Sequence, residues 1–374
     1  MKALVLSGGG AHGAYEAGVA KALLERESYD LVCGVSIGAI NAALIAAGRC
    51  DDALEAFWHR EFPNRALDLF PHVPRLRRLI DHVGSIGSGS RWRDAVRVAR
   101  AARELPFLRN LGKVHETSLP AVAEALGQMV DYSCLRTSLL IGATNATRAC
   151  AAVFRGFVDR PPALANPARS TEYRELSNEN FVMALLASSA MPGLFSPIKL
   201  TFDGETALYA DGCIVHTSPL GLAVDNGATE VTVVFVDQEA DPNSAGATMG
   251  LTQMVYTIGT LWQQRLLDYE LRLAAATNEI VRLGGAPGKR QITIRYVRPS
   301  TPLELDMLAF DDAPALAAAF AAGTADGKVA PRVRLDGLPA QPPNPAAALP
   351  ERQPASLREM LRRLFPKTEL KGSV

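Results

Sequence analysis

Leu31-Val32-Cys33-Gly34-Val35-Ser36-Ile37-Gly38-Ala39-Ile40-Asn41 decides how the rest of the chain is read. A short apolar run rich in β-formers enters it. A small-residue helical pattern (Ala39, Ala42, Ala43, Ala46, Ala47) leaves it. Between the two stands Gly34-x-Ser36-x-Gly38, the pattern of a nucleophile elbow. A strand that turns abruptly into a helix leaves its turn residue strained, with the side chain pointing outward. Side chains at the flanking positions would collide with neighbouring backbone, so glycine stands there. The product is a serine hydroxyl at a helix N-terminus, where backbone N–H groups and the helix dipole favour developing negative charge.

Upstream, Ala3 to Leu6 is a compact apolar run consistent with a buried parallel strand. Ser7-Gly8-Gly9-Gly10-Ala11-His12-Gly13 follows, then a helical pattern from Ala14 to about Arg26 and a strand over Asp30 to Gly34. The order β-loop-α-β-elbow-α opens a parallel α/β layer. Gly8-x-Gly10-x-x-Gly13 also satisfies the dinucleotide fingerprint, which wants an acidic residue at the end of the second strand to hold a ribose. Here Asp30 lies at the beginning of that strand, and the serine elbow occupies its end. The better reading is a loop whose bare N–H groups converge on an anion, as an oxyanion hole requires.

A length of 374 residues fits two domains, or one large α/β domain with appendages. The content, 48% hydrophobic and 21% charged, is that of a globular protein with a sizeable core. Lys and Arg number 39, as do Asp and Glu. That balance argues against nucleic acid as the main partner and leaves a lipid one open. Cys33, Cys50, Cys134, Cys150 and Cys213 are odd in number and free of C-x-x-C spacing, so they read as free thiols in a reducing compartment. The N-terminus runs straight into a strand with no room for a signal peptide. No apolar run reaches the ~20 residues needed to span a bilayer. A cytoplasmic location is the resulting expectation.

Further along, Arg75 to Arg109 is arginine-rich and contains the break Gly84-Ser85-Ile86-Gly87-Ser88-Gly89-Ser90. It reads as a solvated helical face or as a basic lid that meets anionic head groups. Asp51 to Arg60 reads as helical, Ser138 to Thr144 as a strand with Ala151 to Phe154 as its partner, and Asn178 to Ser188 as a helix. That helix ends in Ala187-Ser188-Ser189-Ala190-Met191-Pro192-Gly193-Leu194-Phe195-Ser196-Pro197, too apolar for a simple surface connector. Leu208-Tyr209-Ala210-Asp211-Gly212-Cys213 is a short strand delivering an aspartate into a glycine turn. Thr217 to Leu220 opens a helix with Pro219 in its first turn. Glu230 to Asp237 is a buried strand, Gly250 to about Thr277 a long amphipathic helix, and Gln291 to Val297 a last strand. From about Pro314 the composition shifts to alanine and then proline, the signature of a linker or disordered tail. Ser356 to Phe365 closes it with a short basic amphipathic helix, read as a peptide docking on its own domain or lying on a membrane surface.

With these residues in hand, the chain resembles the patatin-like phospholipases. The resemblance rests on Gly8-Gly9-Gly10-Ala11-His12-Gly13, Gly34-Val35-Ser36-Ile37-Gly38, the Ala187 to Pro197 loop and Asp211-Gly212, in that order. It implies a three-layer α/β/α fold with a mainly parallel central sheet over residues 1–310. The composition adds to this a basic helical lid or cap inserted at about 51–130 within that domain and, beyond it, an Ala/Pro-rich extension over 311–374 with a short basic amphipathic helix. The resemblance implies a lipid acyl hydrolase acting on phospholipids or related acyl lipids through a serine–aspartate dyad. By position Ser36 would be the nucleophile and Asp211 its base. The loop of Gly8, Gly9, Gly10 and Gly13 would be the oxyanion hole, with Gly34, Gly38, Gly212 and His12 in support. No metal and no cofactor is implied, and the basic segments suggest peripheral membrane contact. His12 stands where the family commonly has arginine or lysine, which exchanges a fixed cation for a titratable group. Cys213 stands where glycine or alanine is usual.

An isolated carboxyl group with a reference pKa of about 4 is a weak base, so Asp211 needs burial to serve. A Ser-His-Asp triad is the competing arrangement. Of the six histidines (His12, His59, His72, His82, His115 and His216), only His216 follows shortly after the aspartate. His59, His72, His82 and His115 show no metal-ligand spacing and read as surface residues. An acyltransferase or thioesterase would use the same residues, and a non-catalytic lipid-binding module would need none of them.

Overall fold

The apolar runs on either side of the glycine loop pair with one another. In a computed structural model of the chain, β1 (Lys2–Leu6) lies parallel to β2 (Leu31–Val35), with Ala3 opposite Leu31 and Leu6 opposite Gly34. The structure describes residues 1–49, 52–69, 73, 75, 78, 79, 83, 91–104, 119–158, 171–192, 195–216, 220–237, 269–284 and 290–329. These fall in a unit spanning Met1–Asp336, and Gly337–Val374 form a second one.

Among the described residues one sheet is formed, in the order β5-β4-β3-β2-β1-β8-β9. The added strands are β3 (Ser138–Asn145), β4 (Cys150–Gly156), β5 (Thr171–Glu175), β8 (Glu230–Val234) and β9 (Thr293–Val297). The pairs β2–β3, β1–β8, β8–β9 and β4–β5 are parallel, and β3–β4 is antiparallel. Side chains alternate across the sheet as the two-residue strand period demands. Leu4, Leu6, Val32, Leu139 and Ile141 join one apolar cluster, while Ala3, Val5, Leu31, Cys33 and Leu140 join the other. Helices cover both faces, which makes the architecture α/β/α. α1 (Gly13–Leu24) and α2 (Ile37–Ala46) lie on the first face. α4 (Leu220–Asp225) lies on the second.

Two strands escape the sequence reading. One is β5. The other is β6 (Ile198–Phe202), whose Ile198, Leu200 and Phe202 are buried and whose Lys199 and Thr201 are exposed. β6 turns through Asp203 and Gly204, both at positive φ, into β7 (Glu205–Asp211). Asp-Gly at that position is the two-residue hairpin signal.

The expected tail from Pro314 requires correction as far as residue 329; its proline-rich remainder lies outside the described residues. Ala313–Val329 form helix α5, which packs along α1. Its Gly323 lies against the Tyr15 carbonyl, and Gly18 of α1 lies against the Phe320 carbonyl, so the two backbones approach without intervening side chains. Tyr15 Oη donates to Asp326 Oδ2 at 3.0 Å across the same contact. An alanine-rich run reads as tail in isolation and as a packing surface once a second small-residue helix faces it.

In the region of the expected lid, Asp52–Ala56, a π turn at Phe57–Glu61, Phe62–Leu69 and Arg91–Arg103 are helical. Phe57, Trp58 and Phe62 are buried with their rings in mutual contact, Phe57 and Trp58 edge to face and Phe62 tilted against both. Several sequence readings lie outside the described residues. They are the Gly84–Ser90 break, Arg77 and Arg109, Cys50, His72, His82, His115, the helix opening Thr217–Pro219, the helix start at Gly250, and the Ser356–Phe365 helix. No helix of the described residues is long and apolar enough to cross a membrane.

Candidate active site

β2 runs directly into α2, and the residue at the junction is Ser36, with φ 57° and ψ −132°. A non-glycine residue in that region costs on the order of 1–3 kcal/mol and persists only where its surroundings hold it. Gly34 makes the turn possible: a Cβ there would press on the Gly38 carbonyl group and lie 2.6 Å from Ala39 Cα, both parts of α2 itself. The Ser36 amide donates to Ser188 Oγ at 2.9 Å, and that hydroxyl donates in turn to the Gly142 carbonyl at 2.7 Å. Ser188 closes α3 (Phe181–Ser188), so the apolar loop singled out in the sequence begins as a brace for the elbow.

The sheet register brings Asp211 to the serine. β2 covers one edge of β3 up to the pair Val35–Gly142. At the next position of that edge β7 takes over, with Asp211 opposite Ala143. The residue after Val35 and the last residue of β7 therefore meet at adjoining places on one strand. Ser36 Oγ donates to Asp211 Oδ2 at 2.8 Å. Asp211 is fully buried. Its Oδ1 accepts the Cys213 amide at 2.9 Å, its own amide donates to the Ala190 carbonyl at 2.9 Å, and its carbonyl accepts Thr144 Oγ1 at 2.7 Å. Burial pushes its carboxyl pKa up to about 6, against the opposing pull of the Cys213 amide and the Ser36 hydroxyl. A carboxylate that ionises there can accept a proton near neutral pH. The neighbouring Cys213 thiol is held protonated, by burial first and then by the aspartate beside it.

The glycine loop lies beside the elbow, since Gly38 packs on the Leu6 carbonyl and the Gly8 amide. Gly8, Gly9 and Gly10 take φ values of 82°, 133° and 60°. A Cβ on Gly10 would run into the Met307 carbonyl. Not every amide of the loop is free to meet an anion. Gly8 N–H is committed to Glu16 Oε1 at 2.7 Å, and Gly13 N–H folds back onto the Gly10 and Ala11 carbonyls. Gly8 and Gly13 therefore shape the loop, and the expectation that their amides serve the hole is corrected. The N–H groups of Gly9 and Gly10 donate to no group among the described residues.

His12 is buried, with Nε2 at 2.7 Å from the Leu305 carbonyl. A carbonyl only accepts, so that nitrogen carries a proton. Together with Ala11 N–H, which donates to the Met307 carbonyl at 2.8 Å, it ties the loop to residues 305–307. His216 also engages backbone: its Nε2 pairs with the Ala152 carbonyl at 3.0 Å. Burial holds its pKa below the usual histidine value. His216→Ala is accordingly expected to retain turnover within about threefold once folded protein is normalised by active-site titration; a complete loss would favour the triad. His59, expected at the surface, is half-buried, with Nδ1 3.7 Å from Glu55 Oε1.

Sequence reasoning passed over Glu16, Ser188, Thr144 and Asn41. Ser188 lies inside a quoted motif, and Glu16 is a single acid in the small-residue half of α1, which was the available signal.

Residues 4–224 match the family model described as patatin-like phospholipase. Among solved structures, the chain is similar to VipD from Legionella pneumophila, at 14% identity and a TM-score of 0.35, covering 87% of this chain and 66% of that one. It is also similar to a chain in the complex of full-length SpcU with full-length ExoU from the type III secretion system of Pseudomonas aeruginosa. That match has 18% identity and a TM-score of 0.25, covering 71% of this chain and 50% of that one. The chain thus spans less than two thirds of the first and half of the second. No curated protein matches it.

Proposed function

The chain belongs to the patatin-like phospholipase family, and from that premise we propose that it is a serine lipid acyl hydrolase that cleaves carboxylic esters of phospholipids or related acyl lipids. The observation that carries the reading is the 2.8 Å hydrogen bond from Ser36 Oγ to a buried carboxylate, Asp211.

In this mechanism Asp211 Oδ2 takes the hydroxyl proton as Ser36 Oγ attacks the ester carbonyl carbon. The carbonyl oxygen becomes an oxyanion facing the Gly9 and Gly10 amides, each such donor being worth about 3–4 kcal/mol at the transition state. The intermediate collapses by breaking the bond to the alcohol oxygen, which receives the proton from Asp211. The acyl group remains on Ser36. Water, deprotonated by the same carboxylate, attacks the acyl carbon, and the fatty acid leaves as Ser36 Oγ regains its proton. One difficult step becomes two easier ones. In this reading the arginine-rich stretch within about 51–130 serves as a lid facing lipid head groups, while Phe57, Trp58 and Phe62 of the same insertion belong to the core.

A fluorophosphonate probe tests the nucleophile: wild type is expected to be labelled on Ser36 and Ser36→Ala to remain unlabelled. Free fatty acid released from phospholipid and lysophospholipid vesicles should follow the same pattern. Transfer of the acyl group to an added alcohol in preference to water would instead mark an acyltransferase. Equal labelling of wild type and Ser36→Ala would remove the hydrolase reading.

A further inference from the structure

Resting on the reading of Ser36 and Asp211 as a hydrolytic dyad, we propose that Glu16 is a positioning residue of the reaction: its carboxylate anchors the Gly8 amide and so aims the Gly9 and Gly10 amides at the oxyanion.

Glu16 lies in the first turn of α1 and has no exposed surface. Its Oε1 accepts Gly8 N–H at 2.7 Å and Ser7 Oγ at 3.3 Å, and its Oε2 accepts Asn41 Nδ2 at 3.4 Å. Asn41 is held in its turn, with Nδ2 donating to the Gly13 carbonyl at 2.9 Å and Oδ1 accepting Trp58 Nε1 at 2.9 Å. A chain of hydrogen bonds therefore runs from the buried indole in the π turn through α2 and α1 to the first glycine of the loop. Every residue on it is buried or nearly so, and its far end is one peptide from the Gly9 amide.

The groups facing Glu16 are Ser7 and Gly8 from the loop after β1 and Asn41 from α2. Among the described residues none of them is ionised and no cation pairs with it. An unpaired buried carboxylate costs several kcal/mol, and a fold that needed only shape would fill the space with an apolar side chain. The site instead requires an acceptor on both oxygens, because the Gly8 and Asn41 N–H groups can only donate. Gly8 N–H must point down into α1 for the two following amides, bent through positive φ, to open toward Ser36. A proton on Glu16 opposes that arrangement by placing a donor among donors. Burial lifts its pKa to about 7, so below neutrality a proton occupies one of the two oxygens and the donor facing that oxygen loses its acceptor.

Glu16→Gln in the full chain tests the assignment. The amide matches the shape of the protonated acid but presents N–H to a donor. Labelling of Ser36 by a fluorophosphonate is expected to slow by at least tenfold, and kcat on a soluble ester to fall 10- to 100-fold with KM within twofold of wild type. The acid limb of kcat/KM should change from two protons with a midpoint near 7 to one proton near 6, the value belonging to Asp211. A merely structural role would move Tm and leave that limb in place. Wild-type labelling rate and an unchanged limb in Glu16→Gln would overturn the proposal while leaving the dyad reading intact. Absence of Ser36 labelling in wild type would remove both. If the variant does not fold, Glu16→Asp takes its place, keeping the charge and shortening the reach to Gly8 N–H: slowed Ser36 labelling supports the proposal, and a wild-type labelling rate overturns it.

Discussion

Asp211→Asn is expected to lower kcat by on the order of 10³–10⁴-fold with little change in KM, because it removes the proton acceptor while keeping the shape of the site. The asparagine carbonyl keeps the Cys213 amide at the Oδ1 position, and its Nδ2 donates to Ser36 Oγ, so the serine stays hydrogen-bonded and loses its acceptor. What is lost is basicity. In wild type the rate should rise as pH increases through about 6 to 7 and level off above neutrality, because Asp211 acts as a base in its ionised form with a pKa that burial holds at about 6, and Glu16 loses its proton near 7. The variant's residual rate should lack the Asp211 step near 6 and keep the one near 7. Stability should move the other way. The carboxyl pKa is about 6 in the folded chain and about 3.8 unfolded, so the folded state binds the proton more tightly. The associated stability is present below about pH 4 and is lost as pH rises through about 6. At pH 8 Asp211→Asn should therefore be more stable than wild type, on the order of 1–3 kcal/mol, visible as a higher Tm. A variant with wild-type turnover, or one less stable than wild type at pH 8, would sink this account of the aspartate.

Gly34→Ala carries the second large effect, and it acts on the backbone. The added methyl would sit 2.5 Å from the Gly38 carbonyl carbon and 2.6 Å from Ala39 Cα. Both belong to the first turn of α2, which can move only by carrying Ser36 away from Asp211. Overpacking against flexible side chains typically costs about 1–3 kcal/mol, and a backbone neighbour that cannot swing aside puts this case above that range. A fall in Tm of at least about 5 °C is expected, together with loss of fluorophosphonate labelling. Gly221→Ala in α4 is the matched control. Nothing lies within 4 Å of its Cβ position, and its effect should be neutral or slightly stabilising. Circular-dichroism melts of the two variants side by side distinguish a clash at the elbow from a general intolerance of alanine.

Read from sequence alone, much of the site is legible for a local reason. The elbow is a five-residue pattern whose glycines answer contacts inside the same turn, and the strands around it are short apolar runs bounded by glycine. Asp211 was reachable through its glycine turn and the family resemblance. Glu16 was passed over because one acid in a helix ordinarily faces water, and only its complete burial marks it as different.

The amino-acid order by itself determined the strand–elbow–helix unit, the glycine loop and the alternation that seals both faces of the sheet, since these depend on interactions between residues a few positions apart. Tertiary structure alone decided which loop amides stay open, where His12 points and what the alanine-rich stretch near residue 320 does. Gly8 N–H is taken by Glu16, His12 reaches a carbonyl 293 residues away, and α5 becomes a packing surface only when α1 lies against it. It also placed β7 on the edge of β3 just where β2 ends, the register that puts a carboxylate from residue 211 on the hydroxyl of residue 36. Contacts of that kind leave no period in the sequence, because their partners are brought together by the closing of the sheet and not by spacing along the chain.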